Sequence, residues 1–148
     1  MKVFIGADHQ GYDLKDELKR YLKSSGYDVE DDGDEKLNPS DDFPVFAARV
    51  AKDILVSGDK DSKGILICGS GQGMCMTANR FKGIRACMGY DTESIRSARN
   101  DDDSNILCLP AKFLSQDKAN IFVETFLNTE FAKAPRFKRR IDQMDELT

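Results

Sequence analysis

One short stretch of the chain carries residue types suited to acid–base chemistry: Cys68-Gly69-Ser70-Gly71-Gln72-Gly73. A thiol and a hydroxyl lie two positions apart, and glycines alternate with them. Glycine permits positive φ angles and lets another molecule approach the backbone closely. A helix that begins at such a turn presents unpaired backbone N–H groups, which attract anions and favour a thiolate nearby. The stretch therefore predicts an anion-binding turn with the Cys68 thiol and the Ser70 hydroxyl beside it.

A buried strand and a helix are predicted on the two sides of this turn. Residues 64–67 are short, β-branched and apolar on both faces, as expected of a parallel strand, and residues 74–80 are predicted to be helical. A dinucleotide-binding fingerprint does not fit, because Met74 or Met76 stands where its third glycine is needed. A Walker phosphate loop does not fit either, because Gly73 is followed by methionine. On the glycines alone, a tight βα turn without a ligand is the alternative.

Strand and helix patterns alternate along the rest of the chain. The predicted strands are residues 2–7, 27–30, 64–67, 84–87 and 105–109, and helices are predicted between and after them. This alternation predicts one domain over residues 1–148, a Rossmann-like, doubly wound α/β/α sandwich with a five-stranded parallel sheet. Ligands in such folds bind at the carboxyl ends of the strands. We therefore expect Asp8, His9, the turn after Cys68 and the loop before Asn105 to meet there.

Composition and charge narrow the class of protein. With 148 residues, of which 40% are hydrophobic, the chain is long enough for one hydrophobic core. A net charge of −4 argues against a nucleic-acid-binding surface. No signal-peptide pattern and no apolar stretch of about 18 residues occurs, so we expect a cytoplasmic protein that does not enter a membrane. The four cysteines lack CxxC spacing, which predicts reduced thiols rather than disulfides or zinc ligands.

Further motifs occur in order along nearly the whole chain. They are Gly6-Ala7-Asp8-His9, Asp42-Phe43-Pro44, the glycine turn, Ala78-Asn79-Arg80 with Gly83-Ile84-Arg85-Ala86, Asp103-Ser104-Asn105, and Arg136-Phe137-Lys138-Arg139-Arg140. Together they resemble the type B ribose-5-phosphate isomerases and the related galactose-6-phosphate isomerase subunits. The resemblance implies an aldose–ketose isomerase that needs no metal or organic cofactor and acts through an enediolate. Ribose 5-phosphate is the expected substrate, and allose 6-phosphate or galactose 6-phosphate is the alternative.

The resemblance also implies roles for the residues of the turn. Cys68 is the expected base that moves a proton between C2 and C1, and Ser70 is its expected assistant, which moves a proton between the two oxygens. The backbone N–H groups from Gly71 to Met74 are expected to hold the negative enediolate oxygen. The substrate-binding residues expected in this turn are Gly69, Gly71, Gln72, Gly73 and Met74.

The phosphate group needs cations, and the family positions that bind it are occupied here by His9, Lys112, Arg136 and Arg140. Lys112 stands where the family usually has arginine, which makes bidentate contacts that lysine cannot make. Asp8 matches the residue that binds sugar hydroxyls, and Asn105 is counted among the substrate-binding residues. In this family the two arginines come from a partner subunit, which predicts a homodimer or tetramer with shared active sites. The alternative to phosphate binding is that residues 136–140 form a solvated helix face and that His9 has only a structural role.

Three positions depart from the family pattern. Asp101 stands where a histidine usually assists ring opening, Phe43 where a tyrosine is usual, and Phe137 where a histidine follows the first arginine. An imidazole both donates and accepts protons near neutral pH, whereas a carboxylate mainly accepts them. Asp101 is retained as the expected catalytic residue at this position, and a different sugar phosphate remains open as the substrate. The competing class is a non-catalytic nucleotide-binding domain, in which Asp91 binds a ribose.

Overall fold

Five parallel strands with helices on both faces make up the computed structural model, which describes residues 1–148. The strands are β1 (Lys2–Ala7), β2 (Asp28–Asp31), β3 (Lys63–Cys68), β4 (Ala86–Met88) and β5 (Ile106–Pro110). The helices are α1 (Tyr12–Ser24), α2 (Phe43–Val56), α3 (Gln72–Ala78), α4 (Thr92–Asp102), α5 (Gln116–Asn128) and α6 (Pro135–Asp145), and a short 3₁₀ turn (Ala111–Phe113) follows β5. The strand order is β2-β1-β3-β5-β4, and every pair is parallel. The predicted doubly wound α/β/α sandwich is confirmed.

The strands bury both faces, because alternate side chains point into two different helix layers. On one face, Ile65 and Ile67 of β3 join the core formed with α1, α4 and α5. On the other face, Leu66 and Cys68 join the core formed with α2 and α3. All six residues of β3 are buried, as the continuous apolar run predicted, and β3 lies at the centre of the sheet.

Because all five strands are parallel, the sheet has two chemically different edges. The carboxyl edge contains the residues that follow the strands, including those after Ala7, Cys68 and Pro110. The amino edge contains the residues that precede them, including Ser62 and Asn105. A six-residue strand such as β3 separates the two edges by about 16 Å. A side chain at one edge therefore does not share a small-molecule site with a side chain at the other.

Two elements differ from their predicted bounds, for local reasons. The helix predicted at 74–80 is α3 (Gln72–Ala78), because Gly71 is its N-cap at φ 75° and the helix begins directly after it. It ends early because the Asn79 side chain turns back, accepting from the Ala86 N–H at 2.8 Å and donating to the Ala86 carbonyl at 2.9 Å. The strand predicted at 84–87 is β4 (Ala86–Met88), because Gly83 and Arg85 are instead bound by the Asn105 side chain.

None of the helices combines the length and the apolar character that crossing a lipid bilayer requires. All four cysteines are free thiols. Cys108 is fully buried, and burial raises its pKa well above the ordinary thiol value. Burial likewise raises the pKa of Cys87 to about 11. Both thiols therefore stay protonated near neutral pH.

Candidate active site

The turn between β3 and α3 holds the Cys68 thiol beneath backbone donors. Cys68 is the last residue of β3 and is 5% exposed. The Gly71 N–H donates to its Sγ atom at 3.2 Å, and an N–H donor stabilises negative charge on sulfur. Gly71 must be glycine, because its φ is 75° and an added Cβ would lie 2.8 Å from Met88 Cε and 3.1 Å from the Leu109 carbonyl carbon.

Four backbone N–H groups, those from Gly71 to Met74, are expected to bind the enediolate oxygen. The structure divides them into two pairs. The Gly71 N–H is taken by the Cys68 sulfur, and the Gln72 N–H donates to Ser70 Oγ at 3.3 Å. The N–H groups of Gly73 and Met74 lie in the first turn of α3 and make no hydrogen bond within the chain. The expectation that all four donors face the substrate is therefore corrected: Gly73 and Met74 supply the open pair, and Gly71 serves the thiol.

The end of β1 brings Asp8 beside this turn. The Asp8 N–H donates to the carbonyl of Ile67 in β3 at 3.3 Å. One carboxylate oxygen of Asp8, Oδ1, accepts from Gln10 N at 2.9 Å and from Gly11 N at 3.2 Å, which fixes the buried side chain and leaves Oδ2 without a partner in the chain. Gly11 is packed so closely that an added Cβ would lie 2.6 Å from the Ile67 carbonyl oxygen. Asp8 and Cys68 thus lie on adjacent strand ends, as predicted.

His9 is held by Asp41, and no pattern in the sequence indicated this contact. The Oδ1 atom of Asp41 lies 2.8 Å from His9 Nδ1 and accepts from the His9 backbone N–H at 2.9 Å. The hydrogen bond to Asp41, with the charges of Asp8 and Asp41, raises the pKa of His9 above its ordinary value. The ring remains 31% exposed. The accessible ring therefore keeps a positive charge to higher pH than an ordinary histidine does, which suits contact with a phosphate.

The side chains of Lys112 and Gln10 pack against the glycine turn at Gly69. The Lys112 N–H donates to the Gly69 carbonyl at 3.0 Å, and its Cε would lie 3.0 Å from a Cβ at Gly69. The same Cβ would overlap Gln10 Oε1. Gln10 is a site residue that sequence reasoning missed, and its signal was its place directly after Asp8 and His9 at a strand end. Gly73 is covered by the ring of Phe43, whose atoms would lie 2.7 Å from an added Cβ.

Asp101 lies on α4, and Arg136 and Arg140 lie on α6, which packs against α4; these three residues are here named the α4–α6 group. Helix α4 begins after β4 and runs back along the sheet, so Asp101, its second-last residue, lies level with the amino edge. Burial and the charge of Asp101 raise the pKa of Asp102, and the charge of nearby Arg140 opposes them. Arg136 stacks on the Phe137 ring at 4.3 Å. The structure does not bring this group to Cys68 within one chain.

The prediction that the loop before Asn105 joins Asp8 and Cys68 is wrong. Asn105 precedes β5, so it lies at the amino edge, where its carbonyl accepts from the N–H of Gly64 near the start of β3. Both polar atoms of its side chain are hydrogen-bonded: Oδ1 accepts from Arg85 N at 2.8 Å, and Nδ2 donates to the Gly83 carbonyl at 2.8 Å. Asn105 therefore fixes the approach to β4, a structural task that the motif did not reveal.

One carboxylate cluster has the composition of a metal site, although sequence reasoning did not single it out. Oxygen atoms of Glu30, Asp32 and Asp53 lie within 4.8 Å of one another beside β2. Burial, together with the charges of Asp53 and Glu30, raises the pKa of Asp32 to about 7. Strand β2 is separated from β3 by β1, so the cluster does not belong to the turn that holds Cys68.

Comparisons with known proteins agree on one family. A family model described as Ribose/Galactose Isomerase matches residues 3–144. The probable ribose-5-phosphate isomerase B of Mycoplasma genitalium is 38% identical over 142 residues, which cover 96% of this chain and 92% of that protein. The ribose-5-phosphate isomerase B of Mycobacterium tuberculosis H37Rv is 32% identical over 146 residues, which cover 99% of this chain and 89% of that protein.

Solved structures extend the similarity to three dimensions. The ribose 5-phosphate isomerase of Thermotoga maritima superposes with a TM-score of 0.92 at 39% identity, over 98% of this chain and 97% of that chain. The ribose-5-phosphate isomerase B of Mycoplasma genitalium, solved with bound ribulose-5-phosphate, superposes with a TM-score of 0.92 at 36% identity, over 99% of this chain and 95% of that chain.

Proposed function

Because the chain belongs to the ribose/galactose isomerase family, we propose that it interconverts ribose 5-phosphate and ribulose 5-phosphate. The observation that carries the proposal is the Cys68 thiol, which accepts a hydrogen bond from Gly71 and lies beside the open N–H groups of Gly73 and Met74. A relative solved with ribulose-5-phosphate supports the choice of substrate. The four free cysteines support a cytoplasmic location, since a reducing compartment preserves thiols.

The proposed chemistry moves one proton between neighbouring carbons. The Cys68 thiolate takes the proton from C2 of the open-chain aldose, so that a C–H bond breaks and an S–H bond forms. The electron pair moves into an enediolate, whose negative oxygen is bound by the Gly73 and Met74 N–H groups. The thiol returns the proton to C1 while Ser70 Oγ carries a proton between the two oxygens. The product is the ketose, and every group is regenerated.

The rest of the substrate would lie between two chains. Asp8 Oδ2 accepts a hydrogen bond from a sugar hydroxyl, and His9 and Lys112 contact the phosphate from the same chain as Cys68. Arg136 and Arg140 complete the phosphate site from a partner chain, and Asp101 enters with them. Support comes from the α4–α6 group, which lies too far from the carboxyl edge to serve Cys68 of its own chain. A homodimer with two shared sites is therefore part of the proposal.

Replacement of Cys68 tests the proposed base. We expect Cys68→Ala to fold normally and to lose about 10²- to 10⁴-fold in kcat with ribose 5-phosphate, because no base remains at C2. Cys75→Ala is the matched control: Cys75 follows seven residues later, in α3, and its Sγ donates to the Ala86 carbonyl rather than to the site. Retention of more than about a tenth of kcat by Cys68→Ala would place the base elsewhere.

The same assay tests the substrate. Ribose 5-phosphate, allose 6-phosphate and galactose 6-phosphate are compared by kcat/KM on one enzyme preparation. We expect ribose 5-phosphate to have the highest value. If either hexose phosphate has a higher kcat/KM, the proposed reaction stands and the hexose phosphate becomes the proposed substrate. Asp101 would then be the residue matched to the longer sugar.

A further inference from the structure

The carboxylate cluster of Glu30, Asp32 and Asp53 lies between β2, an edge strand of the sheet, and α2. Glu30 is paired with Phe4 of β1, whose side chain packs in the core beneath α2, so Glu30 points to the same face. Asp32 follows two positions later and therefore lies on that face as well. Asp53 follows the buried Val50 by three positions on α2, which brings it to the side of the helix that faces the sheet. Two elements thus direct three carboxylates at one point.

The carboxylate of Asp32 is the buried member of the cluster. Its Oδ2 atom is closed to solvent and accepts no hydrogen bond from any donor in the chain. Buried side-chain oxygens are nearly always hydrogen-bonded in folded proteins, because a buried charge without a partner is costly. Burial is accordingly the main cause that raises the pKa of Asp32 to about 7, and the charge of Asp53 is the next. The cluster ionises fully at low cost only if a positive charge from outside the chain joins it.

Two cations of the chain lie near the cluster, and neither bonds to the Asp32 carboxylate. Lys2 forms an ion pair with Glu30, the exposed member of the cluster. Arg49 donates to the backbone carbonyl of Asp32 at 3.4 Å, and its side chain is otherwise exposed, so solvent screens its charge. Lys2 therefore offsets the charge of Glu30, while Asp32 and Asp53 keep theirs. Their two negative charges match one divalent cation.

The donor set and its spacing suit a hard cation. Carboxylate oxygens are the ligands that Ca²⁺ and Mg²⁺ prefer, and Ca²⁺ lies about 2.4 Å from each of its oxygens, so two of them are at most about 4.8 Å apart. The three carboxylates here keep an oxygen within 4.8 Å of one another. We propose that Glu30, Asp32 and Asp53 bind one hard divalent cation, with water completing its coordination shell. The ion joins β2 to α2, is separated from β3 by β1, and takes no part in the isomerase reaction.

Calorimetric titration of the EDTA-treated protein with Ca²⁺, and separately with Mg²⁺, tests the proposal. We expect one site per chain for at least one of the two ions, and the same ion should raise the melting temperature because it binds the folded state. Asp32→Asn removes the buried ligand charge and keeps the side-chain shape, so it should weaken binding about tenfold or more. Asp53→Asn should do the same from α2. In both variants, and in EDTA, kcat of the isomerase reaction should stay within about twofold of the wild-type value.

Asp28→Asn is the matched control, because Asp28 is exposed on the same strand and lies outside the cluster. It should keep the affinity within about twofold. The competing occupant is a proton shared by Asp32 and Asp53, and in that case neither ion changes the melting temperature of the wild type. The proposal is overturned if neither ion binds at up to about 10 mM, above the range of weak Ca²⁺ sites. It is also overturned if Asp32→Asn and Asp53→Asn bind the ion as tightly as the wild type.

Discussion

His9 and Cys68 show how far single residues can be interpreted from the sequence. The donor to the Cys68 sulfur is Gly71, three residues away, so the glycine pattern already indicated it. The partner of His9 is Asp41, which is 32 residues away and belongs to a different loop. No periodicity or motif reports such a contact, because it exists only after α1, β2 and α2 have packed. Local chemistry was therefore predictable, and the orientation of the histidine was not.

We predict that Asp41 sets the pH range over which His9 holds the phosphate. The hydrogen bond to Asp41 raises the pKa of His9, so the positive charge persists to a higher pH than in an ordinary histidine and is lost as pH rises through that raised pKa. Asp41→Asn should move this loss to lower pH. At pH 7.5, KM should rise about threefold or more with kcat nearly unchanged.

The neighbouring carboxylate provides the control for this measurement. Asp42 is exposed, and its side chain makes no capping hydrogen bond at the start of α2, so Asp42→Asn should leave the pH profile of KM unchanged. If KM of Asp41→Asn follows the same pH profile as the wild type, His9 does not carry the charge that binds the phosphate.

In the β3–α3 turn, Gly69 and Gly71 are required for different reasons. At Gly69, an added methyl group would meet Gln10 Oε1 and Lys112 Cε, which are the ends of flexible side chains. At Gly71, it would meet the backbone at Leu109 and would also require an unfavourable positive φ. The sequence indicated a turn, and the five strands followed from their apolar runs. Sequence did not indicate which glycine faces side chains and which faces backbone, because that depends on β5 and the loop after β1.

The two glycines should therefore respond differently to alanine. Gly69→Ala should displace Gln10 and Lys112, raising KM with little loss of stability. Gly71→Ala should lower the free energy of unfolding by about 1–2 kcal/mol and also reduce kcat. Thermal denaturation and steady-state kinetics on the same samples distinguish the two effects. Gly58→Ala is the control, since nothing lies within 4 Å of its added Cβ. Equal destabilisation by the Gly69 and Gly71 replacements would contradict this division.

At the scale of the whole molecule, the residues proposed to be functional fall into two groups at opposite edges of one sheet. The carboxyl edge carries Asp8, His9 and Cys68, and the amino edge carries the α4–α6 group. The misplacement of Asn105 in the sequence-based prediction has the same origin: the motif showed which residues matter, but the direction of β5 decides at which edge they lie. Family resemblance predicts a shared site, and the parallel topology is consistent with it, because it separates the two groups within one chain.

Mixing two inactive variants tests the shared site. Cys68→Ala lacks the base, and Arg140→Ala lacks the arginine that the partner needs. In a hybrid dimer, one site contains both defects and the other contains none, so random exchange should restore about a quarter of the wild-type activity. Mixing Cys68→Ala with the Cys68→Ala/Arg140→Ala double variant is the control and should restore nothing. If mass spectrometry shows that the subunits exchange and the mixture still has no activity, each site is built from one chain.

The tight packing of Gly11 against Ile67 has a consequence for how a substrate is received. An added Cβ would lie 2.6 Å from the Ile67 carbonyl oxygen, so the loop after β1 packs against the end of β3 more closely than a residue with a side chain would allow. This packing and the hydrogen bond from the Asp8 N–H to the Ile67 carbonyl hold Asp8 beside Cys68 in the ligand-free chain. Folding has already ordered them, and binding loses little further conformational entropy at these two positions. The flexible open-chain sugar must adjust its own torsion angles to a rigid template.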